Sequence, residues 1–556
     1  MCRFWRKYYP LTRGPETERT VLPSLGESPQ IAHHPASNRC IEFIQQRLEE
    51  CWGSHPDCAL YEARPLPKRV LEIASDSHDL RLVEPGDENH REIGFYAALS
   101  HCWGGGRPFM VTRETLEDAK RSVAWDSLPT TFQDAITITS KLGLKYLWID
   151  SLCILQGDQE DWETESAKMA FYYGSAYVTI AGSSSGNPNE SFLKPRLAGE
   201  LRLAGDGCPV GVRRCPSDRL KYGPLNQRAW CFQETVLSPH ILHFTSDQVI
   251  FECQTHMHAE DGRKVTKQDQ DVERRGPAMS HHLSRIYIAA VEGSPDPQIR
   301  SYQLWQDIVT IYTRLQLSRE SDRLPAISGV AMRFGGRNGS QYLAGLWRDN
   351  FIADLIWTVP EDKRGFSGLV DQPCPSWSWA SIQRGVWYSE PYIMKPHAKL
   401  LRDHCEVSGL NRFGTVKSGS CTLLSRLLEL KLSSVDPDDP RSYRFSDDRI
   451  HYRTLWKLRP DVALEQHILV DDEGHNVVAL RRRLAGSVKA EPFSDVPVFC
   501  LEVAGFSNPG DLKLTYLRCL LLSYADASML TFKRIGHVDL RPILFDNLGR
   551  IEVTIE

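Results

Sequence analysis

The chain has no long apolar run. Stretches such as Cys519-Leu-Leu-Leu-Ser fall far short of the ~18 residues that a membrane-spanning helix needs, so no membrane span is expected. The opening Met1-Cys-Arg-Phe-Trp-Arg-Lys-Tyr-Tyr has no apolar core, and no signal peptide is expected. A charge excess is also missing. A formal net charge of −5 over 556 residues argues against a general binder of nucleic acid or membrane surface. There is no GxGxxG and no Walker pattern, which leaves the Gly-rich stretch after Trp103 as weak support for phosphate binding. There is no internal repeat and no coiled coil. Fifteen cysteines are present but follow no disulfide framework, and without a secretory signal they read as reduced thiols of a cytoplasmic protein.

What remains is an ordinary globular composition, 41% hydrophobic and 25% charged, long enough for roughly three or four domains at ~150 residues each. The most informative stretch runs from Phe95 to Gly182. Three apolar runs, Phe95 to Ser100, Tyr146 to Ile149 and Ala176 to Gly182, each stop at small or polar residues. That is the pattern of buried parallel strands ending at a pocket edge. Helical patterns separate them. Thr130 and Gln133 have capping-box spacing, Phe132, Ala135, Ile136 and Thr139 share a face, and Gly143 sits at a helix end. Trp162, Ser166, Met169 and Tyr173 recur as one further helix closed by Gly174. Alternating strands and helices imply an α/β core whose parallel sheet binds ligands at its carboxyl edge, beside Ser100 to Gly104, Asp150 and Ser183 to Ser185.

The domain reading is as follows. Residues 1–60 form an N-terminal segment, poorly ordered at first, with one amphipathic helix around Ile41 to Leu48. Residues 61–260 hold the core, residues 261–300 a charged linker, residues 301–395 a helical region and residues 396–556 an irregular β-rich region. Cys40, Cys51, His55 and Cys58 offer zinc ligands, but their spacing matches no standard finger. A cysteine-containing loop on a core is expected, and no metal.

Five motifs now carry a family resemblance: Ala98-Leu-Ser-His-Cys-Trp-Gly104, Leu128-Pro-Thr-Thr-Phe-Gln-Asp-Ala-Ile136, Tyr146 to Gln156, Asp161 to Met169 and Arg228-Ala-Trp-Cys-Phe-Gln-Glu234. Their order resembles the fungal heterokaryon incompatibility (HET) domain over about residues 96–235. Gly345-Leu-Trp347 and Pro375 to Ala380 resemble segments that often follow it. The resemblance implies a fungal cytoplasmic protein of non-self recognition and programmed cell death, working by self-association or with an incompatibility partner.

A second resemblance is to the TIR domain, a flavodoxin-like fold with NAD-cleaving members. It rests on Leu99-Ser100 to Gly104, on Asp150 and on Trp230-Cys-Phe-Gln-Glu234, with the departure that residues 183–227 are inserted before the last motif. It implies NAD as substrate, Glu234 as the catalytic group, and Ser100, His101, Trp103, Gly104, Asp150 and Trp230 around the dinucleotide.

Beside these implied roles stand plainer ones. Glu234 is alternatively a surface or salt-bridged helix residue, with Arg228 or Arg213 as partner. Asp150 caps a turn or orients a ribose. Cys102 beside His101 does not by itself make a thiol nucleophile, since neighbours on a strand face opposite ways. The domain as a whole is either an NAD-cleaving enzyme or a non-catalytic assembly module.

Overall fold

A computed structural model describes residues 8–11, 31–55, 58, 63–74, 78–86, 92–104, 109–196, 201–203, 210–214, 223–266, 297–360, 373–383, 385–388, 393–439, 442–446, 450, 455–470, 476–483, 491–507 and 514–556. The expectations for the first 30 residues and for the charged linker fall almost wholly outside these. The chain divides into two compact units, Met1–Glu292 and Gly293–Glu556.

The first unit is built on a nine-stranded sheet. Its strands are β1 (Val70–Ile73), β2 (Leu80–Val83), β3 (Tyr96–Ser100), β4 (Tyr146–Trp148), β5 (Val178–Ala181), β6 (His240–Phe244), β7 (Val249–Cys253), β8 (His256–Ala259) and β9 (Lys264–Thr266). They lie in the order β9-β8-β7-β6-β5-β3-β4-β1-β2. The three expected core strands are adjacent and parallel: Tyr96 pairs with Tyr146, Ala98 with Trp148 and Ser100 with Ala181. β6 continues them in parallel, Ile241 opposite Thr179. The sheet is nevertheless mixed. The antiparallel hairpin β1–β2 flanks β4, and β7 to β9 extend β6 antiparallel.

The helices of this unit are α1 (Asn38–Ser54), α2 (Leu116–Arg121), α3 (Thr130–Lys141), the single turn α4 (Asp150–Cys153), α5 (Gln159–Ser166), α6 (Met169–Ser175) and α7 (Ala229–Leu237). α3 buries Phe132, Ala135, Ile136 and Thr139, the face read from their spacing, and Gly143 follows it at φ +75°. The capping box does not form. Pro129 is the N-cap, Thr130 is already helical, and the Gln133 amide donates to the Trp125 carbonyl at 3.0 Å.

The helix expected from Trp162 to Tyr173 is two helices. The acidic side chains ahead of Ala167 favour a helix start at Asp158, whose carboxylate accepts from the Asp161 amide at 3.1 Å, and the chain turns at Ala167 and Lys168 before α6. Gly174 lies inside α6 rather than closing it, and an added Cβ would sit 3.7 Å from the Leu237 carbonyl of α7. Asp161 has a structural task. Burial opposes its charge, but hydrogen bonds from Arg69 and Lys68 outweigh that and hold the carboxyl at about 2. Arg69, itself buried, also donates to the Cys153 carbonyl at 2.7 Å, so this pair ties the start of β1 to the segment after β4.

The second unit begins with α8 (Pro297–Tyr312) and α9 (Ser328–Asn338) and then turns to strands. Phe493–Ser507, Leu514–Tyr524, Thr531–Leu540, Arg550–Ile555 and Val416–Ser434 pair in succession. The last returns to the first, closing a ring of five strands. The region is therefore β-rich as expected, and more regular. Trp305, Trp347, Trp357, Trp377 and Trp379 are all fully buried. Both the Trp305 and Trp379 indoles donate to the Gly345 carbonyl, at 2.9 and 3.0 Å.

Trp148, fully buried on β4, lies between the rings of Tyr172 and Tyr173, each centroid 5.4 Å away. Truncating it removes both contacts and leaves a cavity. Trp148→Ala should destabilise the first unit by about 3–5 kcal/mol, read from the denaturant midpoint; an unchanged midpoint would contradict this packing.

Candidate active site

Buried parallel strands can present polar groups only at their ends, and the carboxyl ends of β3, β4 and β5 are where such groups gather. Ser100 is the last residue of β3, Asp150 follows β4, and Ser183 follows β5. α7 returns to the same edge. The turn that brings it there demands glycine at position 223. Gly223 has φ +89°, and a Cβ on it would lie 2.1 Å from the Ser183 carbonyl oxygen. The inserted segment therefore brings the chain back against the end of β5, and Pro224 to Gln227 lead directly into α7.

On α7, Glu234 is buried and accepts a hydrogen bond from the Ser100 hydroxyl. Burial pushes its carboxyl up to about 7. The Ser100 hydrogen bond and Arg228 work against that rise, while the nearby Asp150 charge adds to it. The result is an acid that is protonated about half the time near neutral pH. Tyr173 of α6 donates to the Leu99 carbonyl at 3.0 Å, and its own ionisation is suppressed by burial and by Glu234. Cys231, one turn ahead of Glu234, is buried with Cys102, Ala181, Leu225 and Ile241.

Asp150 is half-buried. One oxygen accepts from the Ser151 amide at 2.7 Å, and the other accepts the Trp103 indole N–H at 2.8 Å. The carboxylate thus holds the Trp103 indole and the next amide in the chain, while the N-cap of α4 is Ile149 rather than Asp150. His101 Nδ1 lies 3.8 Å from Asp150, but burial lowers the imidazole pKa and favours the neutral ring. Its Nε2 is buried without a hydrogen-bond partner among the described residues, and its ring packs edge-on against Phe132 at 5.0 Å. Arg228 donates to the His101 carbonyl at 3.2 Å.

The structure thus gathers Ser100, His101, Trp103, Asp150 and Glu234 at one edge. Gly104, at φ +69°, packs instead against Asn187 and Pro188, where a Cβ would come within 3.0 Å. Trp230 is half-buried on α7, one turn before Glu234. The side chain of Arg213 lies outside the described residues. Ser183 and Ser185 are used structurally: Ser183 Oγ lies 3.3 Å from His243 Nδ1, and Ser185 donates to the Glu190 carbonyl at 2.8 Å. Burial raises the pKa of the Cys102 and Cys153 thiols, Cys153 to about 12, which is unsuited to a nucleophile. Sequence reasoning missed Tyr173 and Gly223. Tyr173 was legible only as a packing face, and nothing local marks Gly223 as a close approach. A cavity of about 720 Å³ in the second unit, lined among others by Lys417, Arg481 and Arg482, includes none of these residues.

Two stability tests follow from this geometry. Gly223→Ala forces a side chain into a backbone region open essentially to glycine alone, and should cost on the order of 1–3 kcal/mol before the clash with Ser183 is added. Glu234 has a folded pKa above its unfolded value. Its folded state holds the extra proton between those two values, so this contribution to stability is full below about pH 4.5 and lost as pH rises through 7. Glu234→Gln removes that titration. Relative to the parent, its melting midpoint should rise between pH 5 and pH 8 by the equivalent of on the order of 3 kcal/mol; a gap that does not change with pH would refute the buried, raised carboxyl.

No curated protein and no solved structure matches this chain. A family model does, over a span that opens on the first residue of β3 and closes on Glu234. Residues 96–234 match the model described as Heterokaryon incompatibility protein (HET), and this part of the chain is a HET domain.

Proposed function

We propose that this chain acts in fungal heterokaryon incompatibility as an effector of programmed cell death, and that its HET domain does so by cleaving NAD at Glu234. The observation that carries the reading is the Ser100–Glu234 contact, a buried carboxyl of raised pKa held at the carboxyl ends of the parallel strands of a mixed sheet. The parallel strands run in the spatial order second, first, third, fourth, which is that of doubly wound flavodoxin-like sheets. In such sheets the crevice beside the first and third strands receives the ligand; here Ser100 ends the first and Ser183 lies two residues past the end of the third.

In the proposed reaction the bond from the ribose C1′ to the nicotinamide nitrogen breaks, and its electron pair leaves with neutral nicotinamide. The ribose is left with oxocarbenium character, water adds to C1′, and the water's proton is released. Glu234 as carboxylate opposes the positive charge on the sugar. Asp150, which the Trp103 indole holds, accepts from a ribose hydroxyl in this reading.

Ser100 and Glu234 are only 1% and 5% exposed. That closure supports two versions of the reading. In one, clustering with further copies or with an incompatibility partner in the cytoplasm opens the edge. In the other, the domain is a non-catalytic assembly module and Glu234 serves packing. No helix among the described residues is long and apolar enough to cross a membrane.

Incubation of the full chain with NAD, both dispersed and forced to cluster through a dimerising tag, separates these versions by nicotinamide release. Glu234→Gln should lower the rate by ~10²-fold or more while the protein still melts cooperatively. If the carboxylate is the working form, the parent rate should rise with pH and reach half its plateau near 7. A Glu234→Gln variant as fast as the parent would end the catalytic version. A clustered parent that releases no nicotinamide would leave the assembly module.

A further inference from the structure

The opposite edge of the sheet carries a different chemistry. β6 begins at His240, and β7 runs antiparallel to it, so Cys253 at the end of β7 pairs with His240 at the amino edge of the parallel strands. α1 ends at the same place. Cys51 lies in its last turn, and its C-cap residue is His55. Cys58 follows. Ligand atoms of Cys51, His55, Cys58 and Cys253 all lie within 4.8 Å of one another. All three cysteines are buried, and none is in a disulfide.

We propose that these four residues form a structural zinc site, binding the ion through three thiolate sulfurs and His55 Nδ1. Three distinct elements supply the ligands, so chain proximity alone does not explain the convergence. The spacings fit. Zn–S bonds of ~2.3 Å and Zn–N bonds of ~2.0 Å in a tetrahedron give S···N edges of about 3.5 Å. His55 Nδ1 lies 3.3 Å from Cys51 Sγ and 3.6 Å from Cys253 Sγ.

The surroundings are those of thiolates. The Thr255 and His256 amides both donate to Cys253 Sγ, at 3.4 and 3.2 Å. The Thr255 hydroxyl lies 3.2 Å from Cys58 Sγ. A neutral thiol is a weak acceptor, whereas a metal-bound thiolate draws such donors strongly. One neighbour is different: His240 donates from Nδ1 to the Tyr177 carbonyl at 2.8 Å, and burial favours its neutral ring, so Nε2 is an acceptor 3.3 Å from Cys51 Sγ. Three sulfurs and one nitrogen in tetrahedral reach select zinc among the common divalent ions. With four protein ligands no position is left for water, so the site is structural rather than catalytic.

The ligand set is not the one the N-terminal spacing suggested. Cys40 is buried beside Glu260 and Arg196, and Cys253 takes the fourth position. His55 and Cys253 are 198 positions apart, and the HET match lies between them. Zinc would therefore close a very long loop and fasten α1 to the sheet at the edge away from Glu234.

The test uses the full chain, purified without chelator from zinc-supplemented culture, with metal content read by plasma mass spectrometry. About one zinc per chain is expected, with a melting temperature that falls on chelation and returns with zinc alone. Cys253→Ser should lose the zinc, and Cys40→Ser should keep it. Should Cys253→Ser fail to fold, cobalt added to the chelated parent reports instead, through the absorption bands of tetrahedral, thiolate-ligated cobalt. The proposal is overturned by zinc-free parent protein that gives no such cobalt spectrum. A disulfide among Cys51, Cys58 and Cys253 in freshly purified protein, or full zinc occupancy in Cys253→Ser, would overturn it equally.

Discussion

A carboxylic acid with almost no access to water is the constraint around which the HET domain is arranged. Glu234 cannot be charged there without help, and the help available is partial. Ser100 donates one hydrogen bond, Asp150 contributes a repelling charge, and Arg228 commits a guanidinium hydrogen to the His101 carbonyl. The outcome is a group poised between its two forms rather than a settled ion pair. Compare Asp161, also buried, where Arg69 and Lys68 both donate to the carboxylate and hold it ionised. Two buried carboxyls in one domain thus take opposite characters because one has cations in direct contact and the other has a hydroxyl. The first behaves as a fastening, and the second keeps its proton to far higher pH.

The two edges of the sheet divide the labour in a related way. At the carboxyl edge the contacts are single hydrogen bonds between different segments: the Ser100 hydroxyl to Glu234, the Trp103 indole to Asp150, and the Tyr173 hydroxyl to the Leu99 carbonyl of β3. At the amino edge, sulfur and imidazole groups from α1, the segment after it and β7 converge within one coordination sphere. The carboxyl edge is less fully satisfied: the buried Nε2 of His101 there has no hydrogen-bond partner among the described residues.

The second unit meets a different constraint, that of burying large aromatic side chains whose N–H groups need acceptors. Gly345 supplies one carbonyl to two indoles, and at φ +101° with a Cβ position 2.6 Å from Trp379 it could be no other residue without displacing that ring. Arg534 is wholly buried on the face of Trp357. Its charge is met by Asp461 and by the carbonyls of Leu355 and Trp357. The five-stranded ring pairs its first strand with its last and leaves no open edge within the ring.

What the chain order determined by itself were features written in neighbouring residues. The apolar runs ending at Ser100, Asp150 and Ser183, the face of α3, the absence of a long apolar run, and the HET motifs are all local, because a buried strand or a helix face repeats over a few residues. Local signals also misled where two structures compete for one pattern. Thr130 and Gln133 have capping spacing, yet Pro129 already starts the helix, and the Trp162–Tyr173 periodicity hides a break at Ala167. Only the tertiary structure decided which distant groups meet. Ser100 and Glu234 are 134 positions apart, and their hydrogen bond exists because Gly223 lets the returning chain press against Ser183. Cys253 replaces Cys40 beside Cys51 and His55 because strand pairing, not spacing, brings the end of β7 to the end of α1. A side chain's periodicity is carried by its own segment, whereas its partners and its pKa are set by burial and by groups that the fold delivers from elsewhere.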